Sequence, residues 1–296
     1  MKVSNKQAAK SFRARLMSPL GRYPTNSFCS ESAALIVSPE VCFSIVRVPP
    51  GGCGFSELDC MTAYELPLYG SVLLSGEAGS PYLYPYPTGF SVTLKTEHLE
   101  SIEEPFIREC RSVLLEEIQR NKEGCSTSFW HKPPALGGTK YDIVSDYMLG
   151  SDRLSVLRRL ETANPLVLRG VNCLLKARMA FQHGELKEAA CIYLWIALDA
   201  AHSMVLQKLR ATGVVNPTSS DAARYFEKLS GYQTEWDKFF EDDYENRIRA
   251  FHPDNRFGAE AIPQFLADDF YELNDLLIPF VHFLVSELPE TAEASD

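Results

Sequence analysis

No two of the eight cysteines, at positions 29, 42, 53, 60, 110, 125, 173 and 191, form a Cys-x-x-Cys pair. Zinc ribbons and fingers are built on such pairs, so no structural zinc and no metal site is expected. Phosphate-cradling loops are missing as well. Neither GxxxxGK[ST] nor GxGxxG occurs, and Pro50-Gly51-Gly52-Cys53-Gly54 lacks both the lysine and the following helix, so it reads as a turn. HExxH and GxSxG are also absent. These absences remove the commonest zinc-protease, hydrolase and nucleotide-binding signatures, and no cofactor is expected. Internal repeats and low-complexity tracts do not occur. The first 20 residues carry Lys2, Lys6, Lys10, Arg13 and Arg15 but no apolar run of secretory type. No stretch reads as the roughly 20 apolar residues of a membrane span. The expected setting is therefore cytoplasmic and reducing, without a membrane partner. Basic charge is short too: 29 Lys and Arg face 39 Asp and Glu, for a net charge of −10. That disfavours a protein that coats nucleic acid non-specifically, while leaving room for a local basic site.

What is present is an ordinary globular composition, 45% hydrophobic and 23% charged over 296 residues, enough for two domains and a sizeable core. The chain changes character near residue 150. Up to that point Ala33–Val37 and Val41–Val48 are β-branched, apolar and bounded by turn residues, as strands are. Leu68–Leu74 and Phe90–Leu94 are similar short runs. The Pro/Tyr-rich Pro81–Pro87 reads as loop, and one helix is expected over Phe106–Asn121. From 151 onward helical periodicity takes over. Helices are expected over Pro165–His183, Glu185–Arg210, Asp221–Leu229 (capped by Ser219 or Ser220), Glu235–His252 and Pro263–Leu288. The expected architecture is an α+β domain over 1–150 followed by an all-α antiparallel bundle over 151–296. Asp142–Ala163 could pack with either part.

Chemistry concentrates in Tyr244-Glu245-Asn246-Arg247-Ile248-Arg249-Ala250-Phe251-His252-Pro253. A histidine titrates near neutrality and moves protons, and an arginine's planar fork holds a phosphate and its developing charge. Spacing alone is weak, because Arg178 and His183 repeat it. The wider stretch Tyr244–Gly258 (YENRIRAFHPDNRFG) resembles the R-x4-6-H signature of the HEPN superfamily of helical domains, often followed by proline and a glycine turn. Tyr193–Asp199 is similar to that family's second helix, and Ala267–Leu273 to the start of its last. The resemblance spans about residues 160–288 and leaves the first 150 unassigned.

It implies a metal-independent endoribonuclease of stress or phage defence that dimerises through the helical domain. His252 would be the acid/base, Arg247 the phosphate clamp and Asp199 the orienting carboxylate. Asn246, Arg249 and Arg256 would contact RNA. Asp199 shares a helical side with Ile192, Trp195, Ile196 and Ser203, so it is expected on an apolar face, paired with Arg247. That pair is either structural or catalytic. Ile248 departs from the pattern, since active members often carry Asn, Asp or His there. A non-catalytic dimerisation or sensor module, with a ligand- or partner-binding N-terminal domain, therefore stands beside the nuclease. Three further histidines, His183, His202 and His282, read as helix or core residues.

Overall fold

Strand-forming residues in the first part of the chain meet in one antiparallel sheet. Its strands are β1 (Lys10–Leu20), β3 (Phe28–Cys29), β4 (Ala33–Val37), β5 (Cys42–Arg47) and β6 (Tyr82–Leu94), in the order β3-β4-β5-β1-β6. A parallel two-residue ladder joins β2 (Tyr23–Pro24) to β7 (Ile143–Val144). In this computed structural model the residues described are 10–20, 23–24, 28–30, 32–37, 42–47, 65–75, 82–94, 105, 107–113, 116, 143–144, 152–181, 184–230 and 267–289. The chain divides into two units, Met1–Glu161 and Thr162–Asp296. The boundary falls eleven residues beyond position 150, because the helix Asp152–Glu161 packs with the first unit.

The sheet is buried on both sides. Phe12, Ala14, Ala34, Ile36, Phe43 and Ile45 alternate onto one face and are at most 3% exposed. Ala33, Leu35, Ser44 and Val46 are buried on the other. Helix α1 (Glu65–Leu74) lies against β4 and β6, and α2 (Asp152–Glu161) packs on α1. Glu161, at the end of α2, accepts hydrogen bonds from the hydroxyls of Ser30 (3.0 Å) and Ser32.

Two sequence expectations fail here. Leu68–Leu74 is helix rather than strand, with nine of the ten residues of α1 buried. A helix enclosed all round loses its amphipathic period, so its apolar run is indistinguishable from a buried strand. Pro81–Pro87 is not loop, since Tyr82–Pro87 opens β6. β6 is an edge strand, where a proline without an N–H removes no ladder bond on its open side. Ala33–Val37 is a strand with the expected limits, and Val41–Val48 becomes Cys42–Arg47. Within the expected Phe106–Asn121 helix, the described residues 107–113 and 116 are helical, as is residue 105 just before it.

The second unit is helical throughout its described residues. It contains α3 (Pro165–Phe181), a 3-10 turn (Gly184–Leu186), α4 (Lys187–Ala211), α5 (Ser219–Ser230) and α6 (Ala267–Ser286). Pro165 occupies the first turn of α3, and Asn164 Oδ1 accepts from the amides of Leu166 and Val167 at 3.0 and 3.1 Å. For α5 the cap is Thr218 rather than Ser219 or Ser220. The Asp221 amide donates to Thr218 Oγ1, and the Thr218 amide donates to Asp221 Oδ2 at 2.8 Å, which is a reciprocal capping box. That bond, with help from the Thr218 hydroxyl, holds the Asp221 carboxyl below its ordinary value. The 3-10 turn displaces the expected start of α4 from Glu185 to Lys187.

Helix α4 is the spine of this unit, meeting α3, α5 and α6. Small residues permit the close approach of α3. A Cβ built on Gly170 would lie 3.2 Å from that of Ala200. Contrary to the sequence expectation, α4 is long and apolar enough to cross a membrane by length and composition alone. More than half of that stretch is buried inside the unit, as in a core helix.

Candidate functional site

Of the six residues singled out by sequence, one lies among the described residues. Asn246, Arg247, Arg249, His252 and Arg256, with the expected helix Glu235–His252, fall outside them. Asp199 is described, and it corrects an expectation. It is exposed, although on its side of α4 Trp195 is buried and Ile192, Ile196 and Ser203 are half-buried. Three- and four-residue steps identify one side of a helix, but they do not reveal whether that side meets neighbours. Here the buried side passes through Ala190, Leu194, Ala197, Ala201 and Val205, each 0% exposed.

One turn on, His202 is half-buried, and burial lowers its pKa. Its imidazole is thus neutral at pH 7 and remains a potential proton acceptor. His282 is also half-buried, on α6. Among the described residues no group of three His, Cys, Asp or Glu is placed to hold a metal ion. Cys110, Cys173 and Cys191 are buried free thiols, and burial pushes the Cys110 thiol up to about 11.

At one end of the second unit, three rings meet. Phe181, closing α3, stacks on Phe270 of α6 at 3.8 Å and meets Tyr271 edge-on at 5.1 Å. Lys187 Nζ, at the start of α4, lies 5.4 Å from the centre of the Phe181 ring. The other end is fastened by Glu287, which forms an ion pair with Lys208 and accepts from the Tyr225 hydroxyl at 3.3 Å.

The first unit holds a polar cluster that sequence reasoning missed. Arg15 and Ser44 stand directly opposite on β1 and β5. Glu65 and Tyr69 are four apart on α1 and therefore share a side. Arg15 Nε pairs with Glu65 Oε1 at 2.9 Å, and Ser44 Oγ lies 3.1 Å from the Tyr69 hydroxyl. All four residues are at most 1% exposed. Burial, and then the Glu65 charge, drive the Tyr69 pKa far up, so its proton stays in place. Sealed from water, this cluster is suited to fixing α1 on the sheet rather than to turning over a substrate. The available signal was an arginine within an alternating strand pattern and a glutamate opening an otherwise apolar helix.

No protein-family model, curated protein or solved structure matches the chain.

Proposed function

We propose that the second unit is a HEPN-like helical module that cleaves RNA without a metal ion. The observation that carries this reading is Tyr244–Gly258, where Arg247 and His252 stand five apart directly before Pro253. An exposed carboxylate at Asp199, on the long central helix of a unit whose described residues are helical, supports it. In this reading His252 moves the proton between the 2′-hydroxyl and the leaving oxygen. Arg247 clamps the phosphate, and Asp199 orients one of them. Asn246, Arg249 and Arg256 bind the RNA backbone, two copies associate through the helical unit, and the protein works in the cytoplasm.

The test is mixed RNA incubated in EDTA with the wild type and with His252→Ala. Cleavage by the wild type that vanishes in the variant is expected. Cleavage that survives the substitution overturns the assignment.

Ile248 and the net charge of −8 over residues 151–296 favour a second reading, a non-catalytic dimerisation or sensor module. It expects no cleavage by the folded wild type. It also expects His252→Ala to lower stability by about 1 kcal/mol or more, as loss of a structural hydrogen bond does.

A further inference from the structure

The first two turns of α6 present an aromatic face that is held in place and left open. Tyr271 is 50% exposed. It is the one aromatic among the exposed large hydrophobic residues, Val214 and Val215 being the others in the described part of the chain. Its ring is held on one side by the stacked pair, meeting Phe181 at 5.1 Å and 75° and Phe270 at 5.8 Å and 83°. One turn along, Asp275 is exposed and shares the side of Tyr271. Its carboxylate is fixed from within: Asn274, 0% exposed, donates its Nδ2 to Asp275 Oδ1 at 3.0 Å. The buried Asn274 Oδ1 accepts no hydrogen bond from the described residues. Such an amide costs stability, and what it does here is hold a surface carboxylate beside an open ring. The cluster already receives a cation from its own chain, Lys187 over Phe181. Glu272, next to Tyr271 on the same helix, is also exposed, so Asp275 and Glu272 outnumber the single cation Lys187.

From this we infer that Tyr271 and Asp275 form a docking site for an arginine side chain carried by a basic segment of a partner protein. The guanidinium plane stacks on the tyrosine face while its N–H fork donates to the Asp275 carboxylate. Pre-fixing both groups removes the rotamer entropy that binding would otherwise cost. A nucleic acid is the wrong sign for these surroundings. The inference is independent of RNA cleavage at Arg247 and His252.

The experiment is a titration of the full chain with fluorescent nona-arginine, read by anisotropy and by ring-proton shifts of Tyr271. Tyr271→Ala is expected to weaken binding about 10-fold, the equivalent of roughly 1.4 kcal/mol. Tyr271→Phe, which keeps the ring face, should bind as the wild type does. Asp275→Asn should weaken binding, and Glu116→Gln, an exposed acid of the first unit, should not. Circular dichroism of Tyr271→Ala checks that it folds, with Tyr271→Phe against Asp275→Asn as the fallback pair. Peptide binding unchanged in both Tyr271→Ala and Asp275→Asn overturns the inference, as does equal affinity for nona-lysine. An RNA oligomer that shifts the Tyr271 ring where the peptide does not overturns it in favour of nucleic acid.

Discussion

The two units place their charges in opposite ways. The first buries an ion pair, Arg15 with Glu65, between a sheet and a helix. In the second, the ion pairs Lys208 with Glu287 and Arg224 with Asp221, among the described residues, lie nearer the surface, around a core of Leu, Val, Ala and Phe. The difference follows from the periods of the two structures. Shifting a strand by one residue turns every side chain to the opposite face. Here both faces of the sheet are buried, so apolar alternation alone discriminates poorly between registers. Arg15 resolves that ambiguity, because a slipped β1 would carry its charge to a face without Glu65. A helix that slides or rotates instead meets mismatched ridges and small-residue contacts such as Gly170 against Ala200. Close packing suffices there.

The comparison breaks most directly at Arg15. Arg15→Ala removes the guanidinium paired with the buried Glu65 carboxylate and is expected to cost about 3–5 kcal/mol, with urea melts and amide exchange showing the loss confined to the sheet unit. The joint replacement Arg15→Met with Glu65→Leu should recover most of that stability but loosen register, read as broadened amide resonances in β1. If Arg15→Ala unfolds nothing, the pair does not discriminate registers. In the second unit the comparable loss comes from volume. Leu194→Ala, at a position 0% exposed, should cost about 2–5 kcal/mol, measured by the same melts.

The pH responses should separate the units next. In the first, the folded pKa values of Tyr69 and Cys110 lie above the ordinary 10.0 and 9.0. The unfolded chain therefore releases those protons first, and stability present below pH 9 is lost as pH rises from there past 10. In the second, the folded pKa of His202 lies below the ordinary 6.5. The unfolded chain binds that proton first, so stability present above 6.5 declines as pH falls below it. Melting each unit across pH 5–11 should reveal an alkaline-sensitive sheet unit and an acid-sensitive helical one. His202→Gln should remove the acid limb, and an unaltered limb would assign it elsewhere. The smallest effect expected is at the caps: Asn164→Ala and Thr218→Ala should each cost about 1 kcal/mol, seen as faster exchange in the first turns of α3 and α5.

Much of the second unit was legible in the sequence because its signals are local. Pro165 after Asn164, the break before Lys187 and the turn at Gly213 mark helix ends without reference to anything distant. Gly213 in fact has a φ of +94°, where a side chain would be strained. The first unit was legible in pieces: the β-branched runs Ala33–Val37 and Phe90–Leu94, and the helical spacing within Phe106–Asn121. Its α1 and the proline-bearing start of β6 were misread because enclosure and edge position belong to the assembled sheet. At the candidate site, the R-x4-H stretch was readable as a pattern, whereas the exposure of Asp199 was not. A helical wheel orders side chains around an axis but leaves the direction of the neighbours unspecified.

By itself the sequence determined the acidic charge balance, the change of character along the chain, several helix ends and the placement of Arg247 and His252 before Pro253, all settled by residues within a few positions of one another. Only the tertiary structure decided which charges leave water. Arg15 and Glu65 are fifty residues apart and neither is buried by its own segment. Their pairing, the enclosure of α1 and the open face of Tyr271 depend on surfaces brought together from distant parts of the chain, because desolvation is a property of an assembled environment and not of a stretch of sequence.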